Sequence, residues 1–173
     1  MAGDIAVLSD AQNQRRLRRA ESSHPQLWDL LDEVTDPEIP VVSLWDLGVL
    51  QNIAVEGDKI RVEITPTYSG CPAMVEMAQF IVERLNQAGY SEVEVKTLLA
   101  PTWTTEMMTA EGKQKLRDYG ISPPRGRPGA DEVECPQCGS KQVSQISEFG
   151  STACKALYRC NDCLEPFDHF KCI

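Results

Sequence analysis

A chain of 173 residues has room for one ordinary domain and a small second one, and 42% hydrophobic residues are enough for a real core. With 26 acidic against 17 basic side chains the formal charge is −9, a balance that repels phosphate backbones and argues against a nucleic-acid partner. No apolar run approaches the ~20 residues of a membrane span, and Ile5-Ala6-Val7-Leu8 is too short for a signal-peptide core. A cytoplasmic protein with no membrane partner is therefore expected. In that compartment seven cysteines point to metal binding or thiol chemistry rather than disulfides.

Residues 1–22 are polar, with Arg15-Arg16-Leu17-Arg18-Arg19 as their one cluster, and are expected to be a flexible, solvated tail. Ser23-His24-Pro25 then opens a helix that carries Leu27, Leu30, Leu31 and Val34 on one face. The helix ends in Thr35-Asp36-Pro37-Glu38-Ile39-Pro40, where two prolines stiffen the loop and push Asp36 and Ile39 into extended backbone. Two carboxylates on a stiff loop can bind metal, accept protons or cap backbone N–H groups, and the spacing alone favours capping. In Asp46-Leu47-Gly48 the glycine suggests a turn or a tight approach. Ile53 and Val55 alternate with polar neighbours as a strand, Glu56-Gly57-Asp58 makes a hairpin turn, and Lys59–Ile64 alternates as a second strand.

The stretch Thr65-Pro66-Thr67-Tyr68-Ser69-Gly70-Cys71-Pro72-Ala73-Met74 joins that strand to an amphipathic helix. Met74, Met77, Ala78, Ile81, Val82 and Leu85 recur at spacings of three and four before Gly89 stops the run. Pro72 suits the first helical position, which places Cys71 at the N-cap. Helix-start N–H groups and the dipole then favour thiolate over thiol, and a thiolate is both a nucleophile and a metal ligand. Glu92 to Leu99 reads as a third strand, and strand–helix–strand order implies a parallel pair. Trp103, Met107 and Met108 read as core in a loop with a short helix. Thr109 to Tyr119 is a weaker helix containing Gly112. Residues 23–121 thus read as an α+β domain, a three-stranded mixed sheet backed by helices.

Ser122-Pro123-Pro124-Arg125-Gly126-Arg127-Pro128-Gly129 reads as the core of a linker over 122–133, across which few contacts should pass. Beyond it, residues 134–173 carry Cys135-Pro136-Gln137-Cys138 and Cys160-Asn161-Asp162-Cys163, two knuckles that bring four sulfurs to one tetrahedral point. Zinc suits such a set and iron in a rubredoxin-like site competes with it; the absence of glycine after Cys163 leans towards zinc. So small a segment has too little core to fold without its metal, and reads as a zinc ribbon. Cys154 and Cys172 read singly as structural, and His169 as an exposed strand residue. If the ribbon folds back, Cys71, Cys154 and Cys172 meet at one labile iron–sulfur site.

Several of these segments occur together in one family. They are Asp36-Pro37-Glu38-Ile39-Pro40, Asp46-Leu47-Gly48, Thr65 to Pro72, Pro101-Thr102-Trp103-Thr104-Thr105, Tyr119 to Pro124, Ser147 to Cys160 and the double knuckle. From about residue 25 to the end the chain resembles the D proteins of the bacterial phenylacetate-degradation pathway, the PaaD family. Its first domain is also similar to SufT-type iron–sulfur assembly factors. The resemblance implies an accessory role rather than an enzyme. Such a factor would mature or deliver an iron–sulfur cluster for the ring-1,2-phenylacetyl-CoA epoxidase system, with the flavin- and ferredoxin-type reductase as client. It also implies that Cys71 handles iron or a cluster, with Asp36 and Glu38 beside it. A homodimer is compatible with this reading. Two rivals stand beside it: electron transfer through a rubredoxin-like iron, and a thiol enzyme with Cys71 as nucleophile. The second lacks a base, because His24 and His169 are the only histidines and neither sits in a recognisable dyad.

Overall fold

The structure, a computed structural model, describes residues 10–127 and 130–171. Its first element corrects the expected tail where it is described: Asp10–Ala20 is a helix, α1, docked on the domain, and the part of the tail before residue 10 lies outside the described residues. Arg15 is the reason. Its guanidinium is 1% exposed and donates to the carbonyls of Leu50 (2.9 Å), Met107 (2.7 Å) and Trp45 (2.9 Å) while lying 4.3 Å above the Trp45 ring. A guanidinium fork can satisfy several carbonyls from one side chain, and composition alone cannot distinguish that use from solvation. Arg19 follows on the same face, bidentate to Asp32 at 2.8 and 2.6 Å.

Helix α2 (Pro25–Leu31) starts at the expected proline and buries Leu27, Trp28 and Leu31. Strands β1 (Leu50–Glu56) and β2 (Lys59–Ile64) pair antiparallel across Gly57. Helix α3 (Ala73–Gln87) buries Met77, Ile81 and Leu85, and β3 (Glu92–Thr97) returns parallel to β2. The sheet order β1-β2-β3 is the expected three-stranded mixed sheet. Trp103, Met107 and Met108 are buried as read, in a segment with one short 3-10 turn at Thr105–Met107. Helix α4 (Ala110–Asp118) is capped by Thr109, whose Oγ1 accepts from Gly112 N at 2.9 Å. Two glycines permit close backbone approach here. A Cβ on Gly48 would stand 2.8 Å from Met107 Cβ, and one on Gly112 would stand 2.8 Å from the Asp46 carbonyl oxygen. Asp46 completes the junction, accepting from Thr109 Oγ1 and Lys115 Nζ at 2.7 Å each. Those bonds hold its carboxyl below the usual carboxylate range despite burial.

The expected linker is corrected too. Strand β4 (Ile121–Ser122) is buried and pairs parallel with the last strand of the ribbon, and Pro123 and Pro124 are buried with it. Strands β5 (Gly126–Arg127) and β6 (Ala130–Asp131) form a short antiparallel pair. Glu134 then holds Arg117 of α4 at 2.9 Å and Arg125 at 2.6 Å, tying the segment to both sides. Strands β7 (Val143–Ser147), β8 (Lys155–Cys160) and β9 (Pro166–Phe170) complete a sheet of order β4-β9-β8-β7. Proline and glycine prevent regular structure without preventing burial, and an open β9 edge takes β4 as its partner.

One hydrophobic core therefore crosses the boundary. Cys154 and Phe170 of the ribbon belong to the same buried cluster as Leu27, Ile64 and Trp103, and the Trp103 and Phe170 rings lie 5.9 Å apart. His169, expected on the surface, is 1% exposed with its ring edge-on to Tyr158 at 5.6 Å. No helix among the described residues is long and apolar enough to cross a membrane.

Candidate functional site

The four knuckle cysteines converge. Cys135 Sγ lies 3.7 Å from Cys163 Sγ, Cys138 Sγ lies 3.6 Å from Cys160 Sγ, and all four sulfurs fall within 4.8 Å of one another. A tetrahedral ion at the zinc–sulfur distance needs sulfurs about 3.8 Å apart, so the donor set fits one metal ion. The residues after each knuckle adopt left-handed backbone, Gly139 at φ 76° and Leu164 at φ 68°. The second knuckle thus makes the same turn without glycine. Cys163 N approaches Cys160 Sγ at 3.5 Å, Ser140 donates to Asp162, and Asn161 Nδ2 donates to Ser144 Oγ at 3.0 Å. These contacts orient the ligands and join the knuckles. Around the metal the core is small: Cys135, Cys160 and Phe167, with Val133, Val143 and Tyr158 packed against them.

A second site forms where the two sheets meet. Asp36 is 4% exposed, and its Oδ1 accepts from Glu38 N at 2.7 Å and Ile39 N at 2.8 Å. It caps the stiff loop, as the spacing suggested. Burial nevertheless raises its pKa, and burial together with Asp36 raises that of Glu38. Cys71 sits one residue outside the helix start, with Pro72 in the cap position, and the Ala73 N–H donates to its sulfur. The shift runs opposite to the one the helix start favours. Burial pushes the Cys71 thiol up, Glu38 and Asp36 push it further, and the Ala73 and Tyr68 hydrogen bonds do not offset them.

Tyr68 ties the site together. Its hydroxyl is pushed up to about 12 by burial, then by Cys71, Cys154 and Glu38 in that order. Cys154 is 6% exposed, with Thr152 Oγ1 at 3.0 Å from its sulfur, and its thiol too is raised by burial and by Glu38 and Asp36. The charges of Glu38 and Asp36 thus act on both Cys71 and Cys154; Cys172 lies outside the described residues. No set of three His, Cys, Asp or Glu ligand atoms among the described residues, other than the knuckle sulfurs, comes within 4.8 Å of one another. This seam is not a preformed site for a single ion.

The raised Cys71 thiol has a measurable sign. Each unit by which pKa exceeds pH lowers the thiolate fraction about tenfold, so alkylation near pH 8 should be slower than for a free thiol of pKa about 8.5. The rate should keep climbing above about pH 9. Peptide-resolved iodoacetamide labelling against pH measures it; a plateau below about pH 8 would mean that the helix start has won after all.

Lys155, beside Cys154, escapes detection from sequence. It is 3% exposed, with Nζ 3.8 Å from Asp168 Oδ2. Nothing in the alternation of β8 separates a buried lysine from an outward-facing one.

Comparison with known proteins agrees with both halves. Residues 25–96 match a family described as iron–sulfur cluster assembly protein, and residues 122–171 match the PaaD zinc beta ribbon domain. Two solved structures are similar to part of the chain. One is a DUF59 domain of unknown function from Bacillus anthracis, 28% identical over 54% of this chain and 90% of that one, with a TM-score of 0.49. The other is a conserved hypothetical protein from Thermotoga maritima, 25% identical over 55% and 94%, with a TM-score of 0.46. The D component of a putative 1,2-phenylacetyl-CoA epoxidase from Escherichia coli (strain K12) is 49% identical over 152 residues, 86% of this chain and 92% of that protein. At that identity and coverage the chain belongs to the PaaD family.

Proposed function

We propose that the protein is an accessory factor in aerobic phenylacetate catabolism. It assembles an iron–sulfur cluster, or delivers one, to the phenylacetyl-CoA epoxidase system, with the reductase component as client. The observation that carries this reading is the placement of Cys71 at the start of α3, beside the Asp36–Glu38 loop, in the stretch that matches iron–sulfur cluster assembly proteins. The epoxidase connection comes from the relative that names it. The cluster is cargo, and the resident metal is zinc on Cys135, Cys138, Cys160 and Cys163.

Protonation supports cargo handling over nucleophilic catalysis. A thiol whose pKa is raised is a poorer nucleophile near neutral pH than an ordinary cysteine. Iron displaces the thiol proton when it binds, so uptake rises with pH and release is favoured by reprotonation. Asp36 and Glu38, whose affinity for protons is itself raised, are the acceptors at hand.

The test is a pair of variants. Cys71→Ala should fold, keep its ribbon metal and fail to mature the client. Cys71→Ser should fail as well, because a hydroxyl accepts the Ala73 N–H but is not a soft sulfur ligand. Cluster content of the reductase purified from cells carrying each variant is the readout. Full cluster content with Cys71→Ser would reduce Cys71 to a cap and sink the proposal.

A further inference from the structure

A sheet edge presents backbone N–H and C=O groups without partners, and this fold treats its long edges differently. In the first sheet, β1 is covered by α1: Arg15 donates to Leu50 O at 2.9 Å and Arg18 to Gln51 O at 3.2 Å. In the ribbon, the outer strand β7 shifts register between Gln145 and Ser147, a bulge that blunts an edge. Strand β3 has neither device. It pairs with β2 over six residues without a register shift, and no strand among the described residues pairs with its far side. Leu98 N donates to Ile64 O at 2.8 Å. By alternation Glu92, Glu94 and Lys96 turn their backbone groups to β2, and Val93, Val95 and Thr97 turn theirs outward. Val93 and Val95 pack against the core, which leaves the side chains of Glu92, Glu94 and Lys96 on the opposite, solvent face. There Glu94 pairs with Lys59 at 2.7 Å and Arg61 at 3.5 Å, whereas Lys96 has no ion pair among the described residues.

We propose that β3 is the docking edge for a second copy of this chain, the two β3 strands pairing antiparallel about a two-fold axis at Val95. In this register Val95 faces Val95 of the other copy and Val93 faces Thr97, so every outward residue of each strand exchanges both backbone bonds. Glu94 then stands opposite Lys96 of the other copy, twice by symmetry, in the non-hydrogen-bonded pairs where side chains lie closest. Lys96 thereby gains the carboxylate that its own chain does not give it. The adjacent registers that keep outward groups face to face are disfavoured. Sliding one way sets Glu94 against Glu94, and sliding the other sets Lys96 against Lys96. Charges on an edge strand ordinarily keep other strands away. Here their order is self-complementary, so the charges that discourage a foreign strand admit the chain's own. The product is a continuous sheet of three strands from each copy. The segment leading to Cys71 leaves β2 at the end that pairs with Thr97, so the two-fold sets the two Cys71 positions at opposite ends of the joined sheet. This interface does not depend on the iron-handling reading.

The full-length, zinc-loaded protein is followed by sedimentation equilibrium between about 1 µM and about 1 mM, the span of weak to moderate association. A monomer–dimer equilibrium is expected, and a monomer throughout overturns the proposal. Residue-resolved amide exchange identifies the face. Protection of the Val93, Val95 and Thr97 N–H groups should rise with protein concentration while the outer edge of β7 stays unchanged; concentration-dependent protection confined to other segments overturns the assignment to β3. Thr97→Pro removes an outward N–H without touching the ladder to β2, and Lys96→Glu sets like charges opposite each other twice. Each should raise the dissociation constant about tenfold. Melting temperatures at dilution to monomer check the fold, and Lys96→Glu, at an exposed side chain, carries the test if Thr97→Pro unfolds. Parental dimerisation by Lys96→Glu would mean that another surface is used, and the proposal fails. Glu94→Gln tests the register: it should weaken the dimer about threefold, whereas a tighter dimer would place Glu94 against Glu94 and overturn the pairing about Val95.

Discussion

Replacing Cys135 or Cys160 with serine is expected to empty the ribbon of metal and unfold β7 to β9 at room temperature. Around the four-sulfur centre the ribbon's own cluster adds only Phe167, with Val133, Val143 and Tyr158 packed against it. Structural zinc contributes on the order of 10–16 kcal/mol in isolated fingers, far more than so small a core supplies. The damage should not stop at the sequence boundary. Cys154 and Phe170 lie in the main core, and β4 is paired to β9, so losing the ribbon uncovers Trp103 and Ile121. The naive expectation from a Pro/Gly linker, that the first domain survives intact, is replaced by a coupled loss. Metal content, limited proteolysis and Trp fluorescence measure it. A serine variant with full metal and undiminished protease protection would contradict the zinc assignment. A chain truncated at residue 121 that melts like the full protein would contradict the shared core.

Metal centre and seam differ in how far they could be read from the chain. Two Cys-x-x-Cys pairs carry their geometry in their spacing, because tetrahedral coordination constrains sequence directly. Likewise β2, α3 and β3 announce themselves by period, and a strand–helix–strand order leaves little freedom of topology. Cys71 was legible as a position but not in the direction of its pKa shift. The helix start is local, whereas the carboxylates of Asp36 and Glu38 reach it from a loop more than thirty residues earlier. Lys155 and Arg15 were illegible for a related reason. A charged side chain defaults to solvent in any pattern argument, and only tertiary contacts reveal that carbonyls or carboxylates have been arranged around it. The docked linker failed differently. Proline-rich composition signals irregular backbone and few crossing contacts, but irregular backbone can still be packed, and Pro123 and Pro124 are buried.

Replacing Arg15 with alanine is expected to cost on the order of 3–5 kcal/mol, since two buried carbonyls and a part-buried one lose a charged donor and a cavity opens above Trp45. For a chain of this size that corresponds to a melting temperature lower by about 6–20 °C. Arg15→Lys should recover part of it, because an ammonium keeps the charge but not the planar fork that reaches three acceptors. Arg19→Ala is the contrast: its pair with Asp32 is short but partly exposed, and a loss within about 1 kcal/mol is expected. The position of the acceptors gives the prediction its wider meaning. Met107 belongs to the segment that carries Trp103, and Trp103 receives Phe170 of the ribbon. Losing Arg15 should therefore loosen the ribbon as well as α1, visible as faster amide exchange in β9 and raised alkylation of Cys154. If Arg15→Ala melts within about 2 °C of the parent, α1 is a passenger on the domain and the chain from Arg15 through Met107 to the seam is broken.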